Sequence, residues 1–173
     1  VQELLFPIQE YVSMVRMAID PKNFKRALIL AEKVKELGFE VAFNVMYMST
    51  WKDEKDFIEL LPQVNGIADY FYMVDSFGGV YPEDVREIIK LVRSKTDVKL
   101  GFHGHNNLEM ALANTLMAIS EGVDIIDATV TGMGRGAGNL KTELLLTALQ
   151  SKGTVDFDYN ELSNVVDKFT QLQ

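Results

Sequence analysis

At 173 residues the chain has the length of one domain, and 47% hydrophobic with 24% charged residues excludes a disordered or collagen-like chain. Seventeen Lys and Arg against 25 Asp and Glu leave a net charge of −8, so a nucleic-acid backbone, which needs clustered cations, is not an expected partner. With no cysteine, disulfides, thiolate metal sites and cysteine nucleophiles are all excluded. No apolar run approaches the roughly 20 residues a bilayer requires, and Val1–Phe6 lacks the basic start of a signal peptide, so a cytoplasmic setting without a membrane partner is expected.

The first apolar segment runs from Val15 to Ile19. A stretch of mixed charge from Lys22 to Lys35 then reads as the solvated face of a helix. A second segment spans Val41 to Tyr47 and a third Tyr70 to Ser76. Pro82-Glu83-Asp84 signals a helix start, after which Val85, Ile88, Ile89 and Val92 recur with helical period. The fourth segment, Val98 to His105, precedes a second stripe of Leu108, Ala111, Leu112, Leu116 and Ile119; the fifth is Ile125 to Gly132. Gly38 and Gly122 sit where helices should stop. Segments starting at 15, 41, 70, 98 and 125, with helices between, predict buried parallel strands joined by βα crossovers. A closed barrel and an open doubly wound sheet both fit, and the even spacing favours the barrel. A complete (β/α)₈ barrel takes roughly 250 residues. The expected fold is therefore α/β, a partial TIM barrel of about five βα units, strands 4 to 8. Residues 1–153 would form the barrel part and 154–173 a C-terminal extension with a final helix. An incomplete barrel leaves two strand edges and an apolar interior open, so self-association is expected.

Catalytic groups of parallel βα folds gather at the C-terminal ends of strands. The fourth segment ends Gly101-Phe102-His103-Gly104-His105-Asn106-Asn107 and holds both histidines of the protein. Alternation puts His103 and His105 on one face, with Gly104 expected to keep the space between them clear. Neutral imidazole is a common metal ligand, so the pair suits two positions on one divalent ion; the other reading is a polar strand end that caps the next helix. The run Gly132-Met133-Gly134-Arg135-Gly136-Ala137 satisfies a dinucleotide fingerprint, but a nucleotide-binding βαβ half needs further strands, which leaves phosphate binding or a plain turn. Asp75 and Ser76 end the third strand, either to meet a ligand or to satisfy loop amides. Arg16 and Asn44 interrupt apolar strands and must be paired or face the interior, as anion-binding or structural-network residues. Trp51, Tyr47 and Tyr72 read as packing.

Three motifs stand in fixed order across about residues 15 to 150. They are Val74-Asp75-Ser76-Phe77-Gly78-Gly79 with Pro82, then Gly101-Phe102-His103-Gly104-His105-Asn106-Asn107-Leu108, then Asp127-Ala128-Thr129 through Gly132 to Asn139 with Glu143. Together they resemble the C-terminal five-eighths of an HMG-CoA-lyase-like barrel, the DRE-TIM metallolyase superfamily. Within it they are most similar to the 4-hydroxy-2-oxovalerate aldolases, with isopropylmalate and homocitrate synthases and HMG-CoA lyases more distant. The resemblance implies a metal-dependent aldolase or lyase that makes or breaks a carbon–carbon bond next to a 2-oxo acid through a pyruvate enolate, the cation acting as Lewis acid. It implies that His103 and His105 are metal ligands, that Asn139 ligates or backs the metal, and that Ser76 lies near the pyruvate-like moiety. Arg16 and Asn44 join Ser76 as substrate-binding candidates. Mixed nitrogen and oxygen ligands suit Mn²⁺ or Mg²⁺, with Zn²⁺ as the alternative. An aldehyde dehydrogenase is the implied protein partner. The sequence departs from the family in one respect: the Asp-Arg-Glu segment that supplies a third ligand and a catalytic arginine has no counterpart here. No catalytic residue is assigned, and the chain is expected to be an inactive piece of a longer enzyme. Acyl transfer of the isopropylmalate-synthase kind and a non-catalytic barrel module used for assembly are the alternatives. Metallohydrolase barrels also use His-x-His, but after the first strand and with further histidines that this chain lacks.

Overall fold

The computed structural model describes residues 1–172, so Gln173, the last residue of the expected 154–173 extension, lies outside the described residues. Five strands form one sheet: β1 (Met14–Ile19), β2 (Glu40–Val45), β3 (Tyr70–Asp75), β4 (Lys99–Gly104) and β5 (Ile125–Asp127). All neighbours are parallel and the strands lie in chain order. That order decides between the two expected architectures, because a doubly wound sheet reverses direction at a switch point and this sheet does not. The stagger is also that of a barrel. Arg16 is in register with Ala42, and Ala42 with Tyr70, yet the Arg16 guanidinium lies over Tyr72, two residues further on. Two residues of shift for every two strands is the shear of an eight-stranded barrel, in which side chains from alternate strands share a layer. The fold is a partial TIM barrel, and the outer sides of β1 and β5 are unpaired among the described residues.

The helices are α1 (Gln2–Leu5), α2 (Phe24–Glu36), α3 (Lys55–Leu60), α4 (Pro82–Arg93), α5 (Ala111–Ser120), α6 (Thr142–Ser151) and α7 (Tyr159–Thr170). Alternate strand residues Val41, Phe43 and Val45, Phe71 and Met73, and Leu100 and Phe102 face this helical layer and make the main core. Phe24, wholly buried, sits at its centre with ring centroids 4.9 Å from Phe57, 5.5 Å from Phe43 and 6.4 Å from Phe71. Each edge contact adds about 1 kcal/mol to the burial of the rings. The α4 stripe Val85, Ile88, Ile89 and Val92 is buried as its period requires. Its start is fixed by Pro82 and by the Tyr81 amide, which donates to Asp84 Oδ2 at 3.0 Å. Among the described residues no helix is long and apolar enough to cross a membrane.

Two expected elements are shorter than their apolar patterns. The fifth segment is a strand only over Ile125–Asp127, because a later piece of chain wedges beside it. Leu140 donates to the Gly104 carbonyl at 3.2 Å, and Thr129 donates to the Leu140 carbonyl at 2.9 Å. Residues 130–132 then make a tight turn with Thr131 at φ 60°. The α5 stripe begins at Ala111 rather than Leu108, which is 48% exposed. Its buried face is Ala111, Asn114, Thr115 and Ala118, while Leu112 and Ile119 pack partly buried against Leu140 and Leu145.

At the opposite end of the sheet Asp69 holds two groups together. It accepts from Lys35 Nζ at 2.6 Å and from the Val41 amide at 2.8 Å. Burial pushes its carboxyl up, but these hydrogen bonds outweigh burial and leave it below the ordinary value. A carboxyl held down by folding contributes stability that is complete above the unfolded value of about 3.9 and fades as pH falls through the lower folded one. Asp69→Asn is expected to lose about 1 kcal/mol at pH 7, a difference that shrinks near pH 3; urea unfolding at both pH values measures it.

Candidate active site

The concave face of the sheet is where the barrel departs from apolar packing. Arg16, Asn44, Tyr72, His103 and Asp127 project into it from β1 to β5 in turn, and they are joined. Arg16 Nη1 and Nη2 donate to the two oxygens of Asp127 at 3.1 and 2.5 Å, and Nε donates to Asn44 Oδ1 at 3.2 Å. The guanidinium lies 4.0 Å above the Tyr72 ring, an arrangement favoured by the ring's quadrupole. Tyr72 lies flat only because position 101 is glycine, where a Cβ would fall 2.3 Å from the ring. Asp127 Oδ2 also lies 2.9 Å from His103 Nδ1. Burial raises the Asp127 carboxyl, but the hydrogen bonds from His103 and Arg16 overcome it, and the group stays below the ordinary carboxylate value. The same bond to Asp127 lifts the Arg16 guanidinium against the opposing effect of burial. Arg16 and Asn44 are thus network residues, with two of the five guanidinium N–H groups left for other contacts.

His105 follows β4 and faces the same way as His103, their ring centroids 4.9 Å apart at 67°. Its Nδ1 lies 2.8 Å from the Asp75 carbonyl. A carbonyl only accepts, and so does an ionised carboxylate, so both histidines carry a proton on Nδ1, the tautomer that leaves Nε2 as the ligating atom of a neutral ring. Anchoring one ring nitrogen while the other is presented is how metal-ligating histidines are commonly held. Gly104 does not clear the space between the rings. Alternation turns it the other way, and a Cβ there would meet Phe102 at 3.1 Å and the Ala111 backbone at 3.7 Å, so it serves the approach of α5.

Asn139 is carried to the site by the wedge of chain, its backbone bridging antiparallel to His105. Its side-chain amide donates to the Met133 carbonyl at 2.9 Å, so the carbonyl oxygen is the atom left to ligate. Ser76 Oγ accepts from the Tyr47 amide at 2.9 Å, tying the ends of β2 and β3 and keeping its own proton to donate. Asp75 takes the loop-amide role: it is fully buried, accepts from the Gly79 amide at 3.1 Å, and burial pushes its carboxyl up. The glycine-rich loop is a turn. Gly132, Gly136 and Gly138 have positive φ, and a Cβ on Gly138 would lie 2.3 Å from the Gly132 carbonyl oxygen. Trp51 packs as expected, wholly buried with Nε1 donating to the Met46 carbonyl at 2.8 Å. Two imidazole nitrogens and an amide oxygen fit part of the shell of a divalent cation. Among the described residues no group of three His, Asp or Glu completes one. What the sequence reading missed is the pair of groups that orient the histidines, Asp127 and the Asp75 carbonyl. Asp127 opens the third motif, and its spacing along a strand end was the available signal.

A barrel segment whose polar interior rises to two oriented imidazoles at the C-terminal strand ends has the build of a (β/α)-barrel enzyme with its site at the rim. The profile of the HMGL-like family matches residues 11–168, and the chain belongs to that family. It is 35% identical over 161 residues to an oxaloacetate decarboxylase of Mycobacterium tuberculosis, covering 86% of this chain and 45% of that protein. It is 45% identical over 160 residues to a 4-hydroxy-2-oxovalerate aldolase of Thermomicrobium roseum, covering 88% and 43%. The chain thus spans less than half the length of these curated relatives. Among solved structures it superposes with a TM-score of 0.97 and 52% identity on the N-terminal domain of a protein assigned as an aldolase from Bacteroides vulgatus, covering 99% of this chain and 57% of that one. The HMG-CoA lyase of Brucella melitensis shares the fold, with a TM-score of 0.77 at 17% identity over 98% of this chain and 69% of that one.

Proposed function

We propose that the chain supplies the metal-binding and 2-oxo-acid-binding side of a divalent-metal-dependent aldolase or lyase of the 4-hydroxy-2-oxovalerate aldolase kind. The observation that carries this reading is the anchoring of both Nδ1 atoms to acceptors in two rings whose centroids are 4.9 Å apart, which leaves the Nε2 atoms as the ones to ligate. His103, His105 and the Asn139 carbonyl oxygen would hold the cation, Mn²⁺ or Mg²⁺ by the hardness of mixed nitrogen and oxygen donors, with Zn²⁺ as the alternative. When bound, the cation supplies Lewis-acid stabilisation of negative charge on an enolate. Ser76 donates its free hydroxyl proton to the substrate, and Asn44 and the two open N–H groups of Arg16 line the interior beneath it. Residues 1–153 form the barrel part and 154–173 an extension, in a cytoplasmic protein. The open edges at β1 and β5 are where further strands or a second copy add, and an aldehyde dehydrogenase is the expected partner of the whole enzyme.

The test is pyruvate release by the intact protein with Mn²⁺, from 4-hydroxy-2-oxovalerate and, separately, from oxaloacetate, the substrate in the name of the M. tuberculosis relative. Release that stops on chelation supports the proposal, and the ratio of the two rates separates aldol cleavage from decarboxylation. Firm Mn²⁺ binding with no turnover of either substrate points to the acyl-transfer alternative. An intact protein that binds no Mn²⁺ favours the assembly module.

A further inference from the structure

We infer that Arg16 is a positioning residue for the metal-ligating side of His103, acting through Asp127; the inference rests on the proposed reading of the histidine pair. Arg16 lies on β1 and Asp127 on β5, 111 residues apart and at opposite edges of the sheet, so their ion pair crosses the concave face. Three independent restraints set the guanidinium plane: Asn44 on Nε, both carboxylate oxygens on the two Nη atoms, and the Tyr72 ring against its face. A planar fork held in this way fixes the plane of the carboxylate it grips, which a lysine ammonium, a point charge, does not. Asp127 Oδ2 is the shared atom, taking Arg16 Nη2 at 2.5 Å and facing His103 Nδ1 at 2.9 Å. With the carboxylate fixed, the His103 proton stays on Nδ1 and the ring keeps the heading that presents Nε2 at the rim. With the carboxylate free to turn, the ring can rotate or take up the other tautomer, which puts a proton where a cation must bind.

An anion-receptor role for Arg16 makes a different forecast. Its charge is matched by Asp127, and three of its five N–H groups are in use. A receptor for the substrate carboxylate would shift KM and leave metal affinity alone; a positioning residue shifts metal affinity first.

The experiment uses the intact protein. Mn²⁺ binding is followed by electron paramagnetic resonance in the parent, Arg16→Met and Arg16→Lys, and the metal-free histidine tautomers are read from ¹⁵N–¹H spectra. The parent is expected to show the Nδ1–H form at both histidines. Arg16→Met should weaken Mn²⁺ binding about tenfold, the lower end of what loss of an outer-shell partner causes, and change the His103 signal but not that of His105. Arg16→Lys, which keeps the charge and loses the fork, should weaken binding by about threefold. The inference is overturned if Arg16→Met binds Mn²⁺ within twofold of the parent with an unchanged His103 signal. A proton on Nε2 of His103 in the parent overturns it as well, with no variant needed. Should Arg16→Met not fold, Arg16→Lys at parental affinity is the overturning result. A parent that binds no Mn²⁺ fails the reading of the site itself, whereas a parent that binds while both variants match it fails only the role of Arg16.

Discussion

Replacing His103 and His105 together by alanine is expected to abolish Mn²⁺ binding by the intact protein while leaving its fold in place. Both results follow from where the rings sit. The His103 side chain is 22% exposed and His105 is also only partly buried, so truncation opens no sealed cavity. Removing His103 leaves Asp127 paired with Arg16, and removing His105 frees only a backbone carbonyl near the rim. The stability loss should therefore stay near 1 kcal/mol, the scale of a hydrogen bond or two between partly exposed groups. The affinity loss is of another order, because two nitrogens leave the coordination shell, and it should exceed the roughly 10- to 100-fold seen when only outer partners are removed. Mn²⁺ titration alongside thermal melting of single and double variants measures both. A double variant that keeps the parent's affinity and melting temperature would show that any cation site lies elsewhere.

What could be read from the residues and what could not divide along the range of the interactions involved. The helix at Pro82–Arg93 was legible because everything that makes it is local: a proline in its first turn, an acidic first turn, and apolar residues at helical spacing. The barrel was legible from even spacing, and the facing of His103 and His105 from strand alternation alone. The end of the fifth strand was not. Ile125 to Gly132 reads as one apolar run, and its interruption depends on Leu140, more than ten residues downstream, whose carbonyl accepts from the Thr129 amide and whose amide donates to the Gly104 carbonyl. Leu108 was misplaced for a similar reason, since the turn that precedes α5 is set by Leu108 and Asn106 contacts to Gly78 and Gly138 rather than by helical period. The orienting groups of the site were hidden most deeply. Whether Asp127 meets His103, and Arg16 meets Asp127, follows from the stagger of five strands, which no single segment encodes. Gly104 was misread because its conspicuous place between two histidines suggested a role at the site, while alternation assigns it to the other face.

Asp127→Ala is expected to impair stability and metal binding together, and Asp127→Asn to separate them. Alanine removes the carboxylate that pairs with the Arg16 guanidinium and the acceptor of the His103 Nδ1 proton in one step. Breaking a fully buried ion pair by deleting one partner costs about 3–5 kcal/mol. Here the Arg16 side chain is 37% exposed and can turn towards water, so about 2 kcal/mol is the expected loss. Asparagine retains one acceptor oxygen, which cannot serve Arg16 and His103 equally while its NH₂ faces a donor. Stability should fall by about half as much, yet Mn²⁺ affinity should still drop on the order of 10- to 100-fold, because the histidine is no longer held by a charge. The pH dependence has a definite sign. Folding holds the Asp127 carboxyl below its ordinary value, so its contribution is complete above about pH 4 and is lost as pH falls through the lower folded value. The stability gap between parent and Asp127→Ala should therefore be widest near neutrality and close on acidification. Urea unfolding of the three proteins at pH 7 and near pH 3 reads that gap directly. A gap that is absent at pH 7, or that widens in acid, would mean that the Arg16–Asp127–His103 chain is not what ties the two edges of the sheet to its rim.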